Sequence, residues 1–306
     1  MIWLGERRGF LTDWVTQRWV QITGRRCLLS ETLWLDGPIG NTREIGKDFF
    51  LDYASTRNLQ IVQTGTRGLV EDLTRLSGRN CDFSLIAEPV RNFYEHTSAY
   101  SLDAWSQWHG LFRPFGHALA ILFSRRLQQL NIPLSPLDSA YGMTSDVIQM
   151  RDPRSGTLVQ TAWVRQLKAT RNVLYAGSYS ICNIPGHPTP CIKVVFPLPN
   201  GNAIVIMHPR VLDDGSLILT SAGRSFGDPG FYFTVHAHDG TIWARYLAAM
   251  KETIHVYPAE PAVTRADHVL RLWGKEFLRL HYRMQSIDMK AGHHAPVEAA
   301  ATPPSI

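Results

Sequence analysis

Most of the short signatures that name a reaction are missing from this sequence. Its 306 residues hold neither a Walker A loop nor a Gly-x-Gly-x-x-Gly fingerprint. No alternation of parallel strands and helices exists to host one, so nucleotide-dependent chemistry is not expected. Cysteine is scarce: Cys27, Cys81, Cys182 and Cys191, with no Cys-x-x-Cys pair. Four scattered thiols in a chain of this length read as reduced and partly buried, not as a disulfide framework. Cys182 and Cys191 flank Pro185-Gly186-His187-Pro188 and are placed to face each other across that loop. Pro188 and Pro190, lying between His187 and Cys191, leave that pair without a defined geometry.

No apolar run reaches 18 residues, the length a membrane-spanning helix needs. Met1-Ile2-Trp3-Leu4 gives way at once to Glu6-Arg7-Arg8, so no signal peptide is read and a cytoplasmic location is expected. Charged residues make up only 19% against 44% hydrophobic, which favours a folded body over disorder. The net charge of +5 is spread along the chain. It permits attraction to phosphate or anionic lipid without demanding it. The basic residues form no nucleic-acid module, and nucleic acid is not expected as a partner.

What the sequence has is strands. From about residue 141 to 284, turn signals recur at Arg154-Ser155-Gly156, Pro199-Asn200-Gly201, Asp213-Asp214-Gly215 and His238-Asp239-Gly240. Between them lie runs such as Ile192-Lys193-Val194-Val195-Phe196. Strands are expected near 143–150, 157–166, 173–181, 191–197, 202–207, 216–221, 231–238 and 241–247, with another at 252–257. About eight antiparallel strands suffice for a deeply curved sheet or a barrel. His268 to Met284 fits a helix laid across the sheet, but Phe277 to Arg283 also alternates like a strand.

Residues 1–140 read as mainly helical. Helices are expected after Thr12-Asp13, over 43–55, around Leu69–Leu76 and over 88–97, with a strand or connector at Leu59–Val62. The block from Trp105 and Trp108 through Phe115 and Phe123 to Arg125-Arg126 reads either as a buried helix or as an amphipathic element giving peripheral membrane contact through 105–126. Residues 285–306, rich in Ala and Pro, read as a disordered tail. The expectation is therefore an α+β fold: a helical region at 1–140, a curved antiparallel β-rich region or barrel-like meander at 141–284, and the tail.

His236-Ala237-His238 resembles the His-x-His of cupin metal sites, since residues i and i+2 of a strand project from one face. Four residues after His238, where that family places a glutamate, stands Ile242. No metal or other cofactor is therefore expected, and His236 and His238 remain the alternative metal ligands. Glu252 and His255 join them as candidate acid–base groups. Glu95-His96 with Asp103 is a further candidate pair, although neighbours on a helix diverge by about 100°. No serine nucleophile is expected, since Gly177-Ser178 lies within a strand-like run.

In outline the β-rich half is similar to helix-grip and lipocalin-like carriers. That likeness implies a binding protein holding a lipid-like or other hydrophobic small molecule. Phe231, Phe233, Trp243, Arg245, Trp273 and Arg279 are the candidate ligand-binding residues, with Arg265, Arg271 and Arg283 as further partners for an acidic headgroup. The alternative is an enzyme that uses the same cavity, with the sheet histidines as acid–base groups or metal ligands.

Overall fold

The computed structural model describes residues 10–40, 45–46, 48–79, 81–109, 143–168, 171–237 and 239–287. In chain order the main elements are α1 (Leu11–Thr23), β1 (Arg25–Leu28), α2 (Phe49–Thr56), β2 (Gln60–Val62), α3 (Glu88–Glu95) and β3 (Tyr100–Trp108). They continue with β4 (Met143–Arg151), β5 (Leu158–Leu167), β6 (Val173–Cys182), β7 (Cys191–Leu198), β8 (Gly201–Val211) and β9 (Leu217–Thr220). Last come β10 (Phe231–His236), β11 (Thr241–Tyr246), β12 (Met250–Pro258), β13 (Val263–Leu272) and β14 (Lys275–Ser286).

The strands form a single antiparallel sheet with the order β2-β4-β5-β6-β7-β8-β9-β12-β13-β14-β3, and β10, β11 and β1 branch from β8. The branch arises because β8 is eleven residues long and changes partner along its length. Gly201–Val205 pairs with β10, whereas His208–Val211 pairs with β9. The sheet curves until β3 comes back against β4, but no ladder joins those two strands among the described residues. The large curved sheet of an α+β fold is thus observed, and it is open.

Turn chemistry sets most of the strand boundaries. Gly156, Gly215 and Gly240 all have positive φ, as the turn signals require, and so does Asn200. The helix expected across the sheet at His268–Met284 is instead the hairpin of β13 and β14. Trp273 and Gly274, with φ of 49° and 78°, form a two-residue loop of the kind that matches strand twist. Period-2 alternation prevailed because Leu278, Leu280 and Met284 each have a buried surface to meet.

Further differences fall in the first 109 residues. Tyr100–Trp108, expected at the start of a helical block, is a strand paired with β14, from Leu278↔Trp108 to Ser286↔Tyr100. Its inward residues Leu102, Ala104 and Ser106 are buried while Asp103, Trp105 and Gln107 are exposed, so the helical reading fails there on pattern. The tail expected from 285 starts too early, since Gln285 and Ser286 are the last residues of β14 and pair with β3. Residues 110–126 of the helical reading, and the tail from 288 onward, lie outside the described residues. At 69–76 only a 3-10 turn forms, over Leu73–Leu76, capped by Asp72. Glu95 accepts from the backbone N–H of Leu73 at 2.9 Å, so it serves as a structural clamp on this turn.

The concave face of the sheet is filled by the chain itself. Leu69, Leu73, Leu76, Phe83, Val90 and Phe93 pack against Val147, Trp163, Val194, Val205, Leu219 and Met284 in the largest apolar cluster. Burying each such side chain contributes about 1.5–3 kcal/mol. On the convex face α2 covers β4, β5 and β6 through Phe49, Phe50 and Ala54, and Trp34 and Leu35 cover β7, β8, β10 and β11. Strands covered on both faces lose the alternating pattern, and β7 is buried at every position but its last.

Candidate functional site

Arg165 lies on the concave face of β5, two residues beyond Trp163 and paired with Tyr175 of β6. It is 4% exposed. Its guanidinium carbon sits 4.4 Å from the ring centre of Trp163, 4.6 Å from that of Tyr175 and 5.5 Å from that of Tyr282. Tyr282 is on β14, so the arginine reaches across the interior from one side of the curved sheet to the other. Among the described residues no carboxylate forms an ion pair with it, and its Nε and Nη1 have no hydrogen-bond partner.

The immediate surroundings are aromatic. The Tyr175 hydroxyl donates to that of Tyr179 at 2.8 Å, and burial holds the Tyr179 phenol up at about 12. Burial likewise raises Tyr175 and Tyr282. Each desolvated cation–π contact is worth about 2 kcal/mol. Taking a guanidinium out of water costs several kcal/mol, and Nε and Nη1 are left without acceptors. A planar donor fork in this state is suited to a carboxylate or phosphate, which it binds in two parallel hydrogen bonds.

Glu252 and His268 share the concave face. Oε2 of Glu252 lies 3.0 Å from Nε2 of His268, and its charge is felt by Tyr179 and Tyr282. Beyond this pair Leu270, Leu278 and Leu280 form a second apolar cluster, flanked by Trp108, Met250, Phe277 and Tyr282. Tyr282 touches both this cluster and the main core. The basic group therefore sits where two apolar surfaces meet.

The residues anticipated from sequence are dispersed. Phe231 and Phe233 do lie on the concave face, packed on the main core, with Trp19 of α1 edge-on to Phe233 at 6.0 Å. Arg245 donates from Nη1 to the Thr23 carbonyl at 2.7 Å and so anchors the end of α1. Trp243 is half-buried, with Arg26 above its ring. Trp273 is 77% exposed at the tip of its hairpin. Arg279 is held by both oxygens of Glu276, and Arg271 also faces Glu276, while Arg265 and Arg283 face Glu260. These four arginines occupy the convex face, each with an acidic partner.

The histidines do not converge either. His238 lies outside the described residues. His236 is on the convex face of β10, and its buried Nε2 has no partner. Burial holds its pKa down at about 4. Glu252 and His255 project from opposite faces of β12, three residues apart. His255 lines a shallow cleft of about 490 Å³ with Asp214, Tyr257, Pro258 and Asp267, where its Nε2 lies 3.0 Å from the Ser216 hydroxyl. That hydroxyl is fully buried and donates to Asp214, so it closes a turn.

Two features were missed in the sequence. Gly223-Arg224-Ser225-Phe226-Gly227 does match the Gly-x-Ser-x-Gly pattern. The structure places Ser225 in the loop between β9 and β10, where its N–H and hydroxyl both donate to Asp228 and no helix follows, so it is not a nucleophile elbow. Arg165 was legible as one arginine among many. The available signal was its period-2 alignment with Thr161 and Trp163 in a strand with both faces buried.

No protein-family model matches the chain, and no solved structure matches it. One curated protein does: the uncharacterized membrane protein YndJ of Bacillus subtilis (strain 168), 27% identical over 251 residues. The match covers 80% of this chain but only 42% of that relative, so the chain spans less than half the relative's length. Among the described residues no helix is long and apolar enough to cross a membrane. The relative's membrane designation nonetheless overturns the expected cytoplasmic assignment, and what the chain is similar to is part of a membrane protein of unassigned activity.

Proposed function

We propose that this chain is a binding protein for an acidic amphiphile, with the headgroup taken by Arg165 and the tail laid along Leu270, Leu278 and Leu280. The observation that carries this reading is the buried, aromatic-caged guanidinium whose Nε and Nη1 lack partners. A carboxylate or phosphate monoester on Arg165 would satisfy both N–H groups and neutralise the buried charge. The second apolar cluster begins at Tyr282, a ring that Arg165 itself touches. The open, curved sheet supports the carrier-like outline, and a lipid-like ligand is in keeping with a relative named as a membrane protein.

The test is calorimetric titration of the full chain with oleate and with a lysophosphatidate below their micellar concentrations. Arg165→Met preserves volume and removes the donors. It should weaken binding at least about tenfold, while Arg279→Met leaves binding unchanged. The unliganded R165M protein should also melt no lower than the wild type, because an unpaired buried charge has been removed. Equal affinity in R165M and wild type, or no binding of either ligand, overturns the proposal.

A further inference from the structure

A second constellation lies on the convex face, remote from Arg165 in the chain's organisation and independent of the reading above. His187 sits in the loop between β6 and β7, Cys191 is the first residue of β7, and His208 follows Met207, which pairs with Ile192 beside Cys191. One ligand atom from each of the three lies within 4.8 Å of the other two. The Nδ1 of His187 donates to the Thr189 carbonyl at 2.9 Å and lies 3.8 Å from Sγ of Cys191, and the two imidazole rings are 5.1 Å apart. The Nδ1 of His208 is buried without a hydrogen-bond partner, which is the state of a ligand atom waiting for an acceptor of its lone pair.

We propose that His187, Cys191 and His208 form a binding site for a zinc-class divalent ion. Two imidazoles and one thiolate are the donor set that a borderline-soft, tetrahedral ion selects. Hard cations such as calcium or magnesium prefer oxygen ligands and find none in the set. Bonds of about 2.0–2.3 Å bring tetrahedral ligand atoms within roughly 4 Å of one another, so closure requires movement of about an ångström. His187 can supply it because its loop is exposed at Pro185 and Gly186, and Gly186 has open space around it. His208 and Cys191 stay fixed by the ladder. Three protein ligands leave the fourth position to water. On binding, the Cys191 S–H proton passes to solvent and the sulfur lone pair to the metal, with no change in oxidation state.

Cys182 shows why cysteine alone does not make this site. It pairs directly with Cys191 across β6 and β7, yet it is not one of the three clustered ligands. Burial pushes the Cys191 thiol up to about 12 and the Cys182 thiol up to about 11, so neither ionises readily unless a cation compensates.

The test uses the full chain, reduced and stripped of metal with a chelator, titrated with Co²⁺ and then Zn²⁺. One equivalent of Co²⁺ should give a thiolate-to-cobalt charge-transfer band and the intense d–d absorption of tetrahedral coordination, both lost when Zn²⁺ displaces it. His187→Ala removes a half-buried side chain from a loop outside the β-ladders and should fold normally. It should lower Zn²⁺ affinity by more than about 100-fold, beyond the roughly 10–100-fold that the loss of an outer-shell partner costs. Cys191→Ser should abolish the charge-transfer band, while Cys27→Ser, at a thiol outside the three clustered ligands, should leave it intact. Absence of the band with wild-type protein, or Zn²⁺ affinity unchanged in H187A, overturns the proposal. If C191S does not fold, the H187A result alone decides it.

Discussion

Oε2 of Glu252 on β12 and Nε2 of His268 on β13 lie 3.0 Å apart on the concave face, with side chains only 8% and 16% exposed. Their strands are in direct register, Glu252 opposite Leu270 and His268 opposite Ile254, so the contact is diagonal. It closes the polar strip between the main core and the Leu270, Leu278 and Leu280 cluster.

A half-broken pair in this position is worse than none. Glu252→Leu alone should destabilise the chain by about 3 kcal/mol, because His268 keeps a buried polar atom with nothing to meet it. Glu252→Leu combined with His268→Leu should recover most of that loss. A double-mutant cycle from urea denaturation measures the difference. Additive losses in the double variant count against the coupling.

Acid should act on the opposite face, through His236. Its protonation is opposed by burial in the folded chain, where its pKa is about 4 instead of the ordinary 6.5. The unfolded chain therefore binds the extra proton more readily. The stability contributed by the neutral imidazole is complete above 6.5 and is lost progressively as pH falls toward 4. Full loss is on the order of 3 kcal/mol. His236→Gln cannot titrate, so its melting temperature should fall less than that of the wild type between about pH 7 and about pH 4.5. Parallel declines exclude this account.

The β13–β14 hairpin carries a removable strain. Trp273 holds φ at 49°, a conformation that costs a β-carbon-bearing residue about 1 kcal/mol, and its side chain is mostly in water. Trp273→Asn gives the Asn-Gly pair that such loops favour. The variant should be more stable by about 0.5–1 kcal/mol in denaturant titration, and a lower midpoint contradicts the strain argument.

How much of this was readable in advance depended on how many faces of a strand were covered. The strands from Met143 to Pro258 were found within a few residues of their ends, because glycines such as Gly156, Gly215 and Gly240 mark turns that only a few residue types permit. Tyr100–Trp108 and His268–Met284 were harder. Trp105 and Trp273 are large apolar residues on exposed positions, and they made strands and a hairpin tip look like helix faces. For the site, Phe231 and Phe233 were named as candidate ligand-binding residues, and the structure packs both against the main core. Arg165 and His208 were not singled out, since what marks them is an absence among the described residues: an ion-paired carboxylate for the first, a hydrogen-bond partner at Nδ1 for the second. Spacing in a sequence reports who is near in the chain, and it carries no record of a missing neighbour.

The shared strand β8 also sets the mechanics of the molecule. Its first half is laced to β10 and its second half to β9, while β7 runs along its other edge. The β7 ladder on β8 ends at Met207 and the β9 ladder begins at His208, so the two flanks of the sheet are joined at that junction through the backbone of one strand, and a change of curvature between them breaks no ladder hydrogen bond there.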